Sequence, residues 1–135
     1  MTRWTVIVEG VPVAQPRPRV YGTHTVSDST KSRVWKQQVA WAWGAGPKYD
    51  GPVCLRLTFF LPRPKRLMRK KDPDKAIPAP VRPDVDNLAK AILDALEGLA
   101  YDNDSQVVGL DLRKLYHGKG DPPGVLIKAI AWEDA

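Results

Sequence analysis

The chain has 135 residues and a mass of 15.0 kDa, a length for one compact domain that excludes the two-domain plan of many nucleotide-sugar and polymerase enzymes. Lys and Arg number 21 against 15 Asp and Glu, a net +6 with a pI near 9.6, which points to a polyanionic partner, nucleic acid ahead of an anionic membrane. The single cysteine, Cys54, excludes an intramolecular disulfide and a cysteine-based zinc site, and His24 and His117 stand apart without companions. No stretch reaches the roughly 18 apolar residues that span a bilayer, and MTRWTVIVEG carries no long apolar run. No membrane partner is expected, and a reducing bacterial or infected-host cytosol is the expected compartment.

Residues 3–9 alternate and are β-branched, which predicts a strand. Prolines 12, 16 and 18 exclude a helix and a central strand after it, leaving an extended loop that displays Arg17 and Arg19. Ser27, Asp28 or Ser29 is a candidate cap for a helix over roughly residues 29–43, with Trp35, Val39 and Ala42 on one face. Trp41 and Trp43 fall away from the centre of that face, where they can stack on bases or meet a subunit; ordinary core or rim packing is the plainer reading. Residues 52–61 predict a second strand with Val53, Leu55, Leu57 and Phe59 on one side, and Cys54 reads as an inert core residue.

The composition then shifts. Residues 62–80, PRPKRLMRKKDPDKAIPAP, carry Arg63, Lys65, Arg66, Arg69, Lys70, Lys71 and Lys75 against Asp72 and Asp74. Five prolines and few apolar residues predict a mobile basic loop without regular structure. A flexible cationic arm suits phosphate backbones, because it releases counterions without reading sequence. A solubilising insertion is the alternative.

Residues 86–99 give the clearest helix, capped by Asp86 and ended near Gly98. Leu88, Ile92, Ala95, Leu96 and Leu99 make its apolar stripe, with Lys90, Asp94 and Glu97 opposite. Strands are expected at 106–116 and 124–132, joined by HGKGDPPG as a long hairpin. The expected fold is α+β, a mixed sheet with two helices in the order β-α-β-α-β-β, in a single domain over 1–135.

The chemistry concentrates in Arg82-Pro-Asp84-Val-Asp86-Asn87-Leu-Ala-Lys90 and Asp102-Asn-Asp104-Ser-Gln106. Asp84 and Asp86, two apart in extended chain, would share a side of the backbone, roughly 6–7 Å apart at the root. Lys90 lies one turn into the helix, and Asp104 can join them in a compact fold. Carboxylates held together repel, and a hard divalent cation removes that cost. Magnesium so held suits phosphodiester hydrolysis, with Lys90 stabilising phosphate charge or orienting water. The plainer readings are an N-cap for Asp86, turn formers for Asp102 and Asp104, and a Lys90–Asp94 surface pair.

R-P-D-V-D-N-L-A-K-A-I-L-D-A-L-E-G, followed by D-N-D-S-Q-V, resembles the RusA family of Holliday junction resolvases, common in phages and prophages. The first strand, Gln15-Pro-Arg17-Pro-Arg19 and Thr25-Val26-Ser27 are also similar, so the resemblance spans most of the chain. It implies Asp84, Asp86 and Asp104 as catalytic metal ligands, Lys90 as the essential lysine, and Mg2+ or Mn2+ as the cofactor, with no small-molecule cofactor. Asn87, Asp94 and Gln106 match recurring positions with structural or supporting roles. Family members often have two adjacent acids before Ser/Ala-Gln-Val; here the pair is Asn103-Asp104, and Asp102 is a possible substitute. The family acts as a homodimer on branched DNA, and two-fold symmetry suits paired cuts in a four-way junction. Leu93, Trp41 and Trp43 are candidate dimer contacts. The expected activity is metal-dependent, structure-selective cleavage in recombination and repair, with Arg17, Arg19, Arg63, Lys65, Arg66, Arg69, Lys70 and Lys71 on backbone phosphates. Two rival classes are a non-catalytic DNA-binding module and a metal hydrolase of small phosphates; the absence of a Gly-rich phosphate cradle argues against the latter.

Overall fold

A computed structural model describes residues 3–16, 19–21, 24–26 and 30–135, with the side chains of 19–21 and 24–26 excepted. Arg17 and the expected caps Ser27, Asp28 and Ser29 lie outside the described residues, and of Arg19 only the backbone is described. The strands are β1 (Arg3–Glu9), β2 (Arg19–Tyr21), β3 (His24–Val26), β4 (Val53–Leu61), β5 (Ile77–Pro78), β6 (Val107–Tyr116) and β7 (Gly124–Ala131). The helices are α1 (Thr30–Trp43) and α2 (Val85–Leu96). The fold is α+β, a mixed five-stranded sheet in the order β1-β7-β4-β6-β5 beside a small β2-β3 pair.

Alternation along β4 decides the layering. Val53, Leu55, Leu57, Phe59 and Leu61 are all buried, while Arg56 on the opposite side is exposed. One face of the sheet is therefore dry, covered by α1 and α2, which pack on each other and on β1 and β6. Cys54 belongs to the other face, half-buried with its Sγ against Gly109, so its expected place in the core is corrected.

Trp43 takes the core-packing reading, which removes it from the candidate dimer contacts. It is only 1% exposed and tilts against Trp4 with ring centroids 6.3 Å apart. Gly46 lets the chain pass these rings, since a Cβ there would lie 2.7 Å from Trp4 Nε1. Trp41, two residues back, is 86% exposed.

β4 runs parallel to β6 and antiparallel to β7. β6 and β7 therefore do not form the expected hairpin: β4 lies between them, and 117–123 crosses the end of β4. β4 is the most apolar strand, and only a central position buries it against two neighbours. The parallel pair also requires a crossover, and α2 supplies it. The N-terminus of α2 accordingly lies toward the end where β4 finishes, and its C-terminus toward the end where β6 begins.

The basic segment is more regular than expected. It forms a 3-10 turn at Lys65–Leu67 and the short strand β5, antiparallel to β6. The reason is Arg63, which is 7% exposed. Its guanidinium donates to the Leu67 carbonyl at 2.8 Å, Pro73 at 2.8 Å and Lys75 at 3.1 Å. Lys119 closes the far side by donating to the Arg69 and Asp72 carbonyls, both at 2.7 Å. Side-chain donors thus satisfy a backbone that the prolines keep out of ladders.

Candidate active site

Asp84, not Asp86, is the N-cap of α2; its backbone is extended (φ −66°, ψ 143°) and its carbonyl accepts from Leu88 N–H at 3.1 Å. Asp86 sits in the first turn, where its Oδ1 accepts from the Asn87 N–H at 3.0 Å. Both carboxylates are exposed at the positive end of the helix dipole, where negative charge is favoured. The two are not on one extended chain, because the helix begins between them. Lys114 of β6 fixes the approach by donating to the carbonyls of Val81 and, at 2.8 Å, Pro83. Gln15 N–H donates to the Asn87 carbonyl at 3.0 Å, tying the proline-rich loop to the same helix start. A cleft lined by Arg82, Pro83, Asp84 and Asn87 opens there.

Lys90 is exposed one turn further on, on the stripe that Asp86 begins and Asp94 and Glu97 continue. Asp94 pairs with Lys36 of α1 at 3.6 Å rather than with Lys90. Gly98, at φ +85°, ends the helix. The chain then returns through Tyr101, which is fully buried and donates its hydroxyl to the Leu93 carbonyl at 2.8 Å. Burial raises the Tyr101 pKa, and the charges of Asp104, Glu97 and Asp94 raise it further, so the phenol remains a donor.

Asp104 opens a 3-10 turn just before β6. Asn103 caps it, accepting from Ser105 N–H at 2.9 Å. Gln106 holds the link from both sides. Its Oε1 accepts from the Asp102 and Asn103 N–H groups at 2.9 and 3.2 Å, and its Nε2 donates to the Tyr49 and Gly51 carbonyls at 2.9 and 3.1 Å. The expected supporting role of Gln106 thus becomes specific: it sets where Asp104 stands. Asp102 pairs with Lys48 at 2.6 Å.

Among the described residues, carboxylate oxygens of Asp94, Glu97 and Asp104 all lie within 4.8 Å of one another. Asp84 and Asp86 are not in that group. Asp94 is eight residues after Asp86, about 12 Å along the axis at 1.5 Å per residue. The topology explains the separation, because Asp84 and Asp86 stand at one end of the crossover helix and Asp104 on the link that leaves its other end. The acids therefore form two groups with Lys90 between them. Sequence reading placed Glu97 and Asp94 on the right face but missed their meeting with Asp104; the 3.6-residue period carried to the helix end was the available signal.

Of the expected phosphate-contacting residues, Lys65, Arg66, Arg69, Lys70 and Lys71 are exposed. Arg69 leans on Asp72, whose Oδ2 accepts from its Nε at 3.3 Å. Arg63 is committed to backbone carbonyls inside the loop.

The family model for endodeoxyribonuclease RusA matches residues 9–129. The chain belongs to the RusA family. That span contains Asp84, Asp86, Lys90 and Asp104 as well as Asp94 and Glu97. A protein of Bacillus subtilis (strain 168), described as the uncharacterized protein YqaN, is 39% identical over 120 residues, covering 81% of this chain and 84% of its own. The carboxylates of Asp84, Asp86, Asp94, Glu97 and Asp104 offer only oxygen donors.

Proposed function

We propose that this chain is a divalent-metal-dependent, structure-selective endonuclease that resolves Holliday junctions by paired symmetric cleavage, acting as a homodimer in DNA recombination and repair. The observation that carries the reading is the RusA-family match across residues 9–129, which takes in the whole acid–lysine stripe. A bacterial cytosol, with a phage or prophage origin, belongs to the same reading; among the described residues no helix is long and apolar enough to cross a membrane.

The donor chemistry fits magnesium or manganese. Asp84, Asp86, Asp94, Glu97 and Asp104 offer only hard carboxylate oxygens, and hard cations of this size prefer a few such ligands together with water and substrate phosphate. Asp84 and Asp86 would hold an ion at the start of α2, and Asp104, beside Asp94 and Glu97, one at the other end of the helix; a metal so held would polarise a phosphoryl oxygen and supply a nucleophilic water at neutral pH. Lys90 contributes positive charge to the scissile phosphate from its place between the acid groups. Lys114 and Gln106 are positioning residues, one for the Asp84 end and one for the Asp104 end.

Lys65, Arg66, Arg69, Lys70 and Lys71, with Arg17 and Arg19, contact backbone phosphates. Arg63 leaves that set, because its guanidinium is occupied within the protein. The basic segment offsets the repulsion between an acidic stripe and a polyanion.

The test is nicking of a synthetic four-way junction and of a linear duplex of the same sequence, with Mg2+ and with excess chelator. Symmetric cuts in the junction alone, abolished by chelation, are expected. Binding without cuts under either condition would support a non-catalytic module. Turnover of small phosphates in place of DNA would support a different hydrolase.

A further inference from the structure

We propose that the outer edge of β1 is the contact between two copies of this chain, the two strands pairing antiparallel about a two-fold axis at Val6. This deepens the homodimer reading above by naming its surface.

β1 is an end strand of the sheet and pairs only with β7 among the described residues. Gly10 N–H donates toward β7, to the Pro123 carbonyl at 3.0 Å. In an antiparallel ladder, residues two apart turn their backbone groups the same way. Val8, Val6 and Trp4 therefore face β7, and Arg3, Thr5, Ile7 and Glu9 present their N–H and C=O groups outward. An unpaired row of that kind is a template for another strand.

The side chains of that row choose the partner. Arg3 and Glu9 are both exposed and stand three residues either side of Val6. Antiparallel pairing centred on Val6 sets Arg3 opposite the partner's Glu9, and Thr5 opposite the partner's Ile7. Each of these pairs has outward-facing backbone on both strands, so each exchanges reciprocal hydrogen bonds. Opposite charges directly across strands stabilise the pairing, whereas any one-residue slip sets outward groups against inward ones and reverses the faces. The edge is thus complementary to itself, as an isologous contact requires.

The flank of the edge carries large apolar side chains that stay exposed among the described residues. Ile7 is 68% exposed, Val34 48% and Trp41 86%. With Val8, Ala42 and the polar Glu9, Gln37 and Gln38 they line a groove between β1 and α1. Pairing of the edges carries α1 of each copy toward the other and covers Trp41, which stays exposed among the described residues.

The experiment is sedimentation equilibrium of the full chain, read separately from cleavage. The wild type is expected to be a dimer. Arg3→Glu and Glu9→Arg each put like charges across the axis and are expected to weaken dimerisation at least tenfold. The double variant Arg3→Glu/Glu9→Arg restores opposite charges and is expected to dimerise like the wild type. Circular dichroism confirms that each variant is folded. As a second measure, Val6→Cys in a Cys54→Ala background is expected to cross-link on oxidation, since a non-hydrogen-bonded pair brings Cα atoms to about 4.5 Å. A monomeric wild type overturns the proposal. So does a dimer indifferent to both single variants, or a double variant that stays monomeric without a Val6→Cys cross-link. A dimer of unaltered charge response that still cuts junctions would sink this surface alone; a charge-sensitive dimer that cuts no DNA would sink the nuclease reading alone.

Discussion

Arg63→Ala separates a structural arginine from the phosphate-binding ones around it. The wild-type guanidinium makes three hydrogen bonds to carbonyls, at 2.8, 2.8 and 3.1 Å, in a side chain only 7% exposed. Hydrogen bonds to a charged group contribute about 1.5–3 kcal/mol each. They are not additive here, because water can reach carbonyls 67, 73 and 75 once the loop loosens. A net loss of about 2–4 kcal/mol is expected, on the order of 10 °C in Tm for a chain of this size. Arg63→Lys recovers only part of it, since one ammonium does not reproduce the planar fork. Lys70→Ala, on the exposed side of the same loop, is expected to stay within about 0.5 kcal/mol of wild type. Urea denaturation of the three variants measures this directly. If Arg63→Ala kept full stability and lost DNA affinity as Lys70→Ala does, the anchoring role would be refuted.

The other predictions concern the site. Lys90→Met keeps helix propensity and removes the charge between the acid groups; cleavage is expected to fall about 10²–10³-fold, with junction binding nearly unchanged, in single-turnover assays. Gln106→Ala strips two N–H groups and two carbonyls of their partners, so a loss of about 1–3 kcal/mol by urea denaturation is expected together with slower cleavage from a displaced Asp104. The double variant Lys70→Ala/Lys71→Ala is expected to weaken junction binding and flatten its log–log salt dependence by up to about 2 units, at about 0.9 per phosphate contact.

Much of the scaffold was legible because strong local patterns agreed with the tertiary solution. β4 alternates cleanly, and its buried residues are those its sequence picks out. The face of α2 bearing Lys90, Asp94 and Glu97 is opposite Leu88, Ile92 and Leu96, as the helical period requires. What failed needed long-range information. The insertion of β4 between β6 and β7 is invisible locally, because a hairpin and a sheet crossover can share one loop sequence. The order of the basic segment depends on Arg63, whose residue type suggests solvent and whose surroundings are carbonyls brought from positions 67, 73 and 75. The sequence leaves the packing of Trp43 open because its partner, Trp4, lies 39 residues earlier in the chain. Spacing puts Asp84, Asp86 and Lys90 near the helix start, but does not show that the helix begins between the two acids with Asp84 as its cap. Nor does it give the company of Asp104, because two residues at opposite ends of a crossover helix look adjacent only in a motif.

The central claim is that Asp84, Asp86 and Asp104 make this RusA-family chain a metal-dependent nuclease. Single-turnover cleavage of a four-way junction in Mg2+ by Asp84→Asn, Asp86→Asn and Asp104→Asn tests it most directly. Each variant is expected to bind the junction at least as tightly as wild type, because negative charge has been removed, and to cut it at least about 100-fold more slowly. Cleavage at wild-type rates by all three would contradict the account.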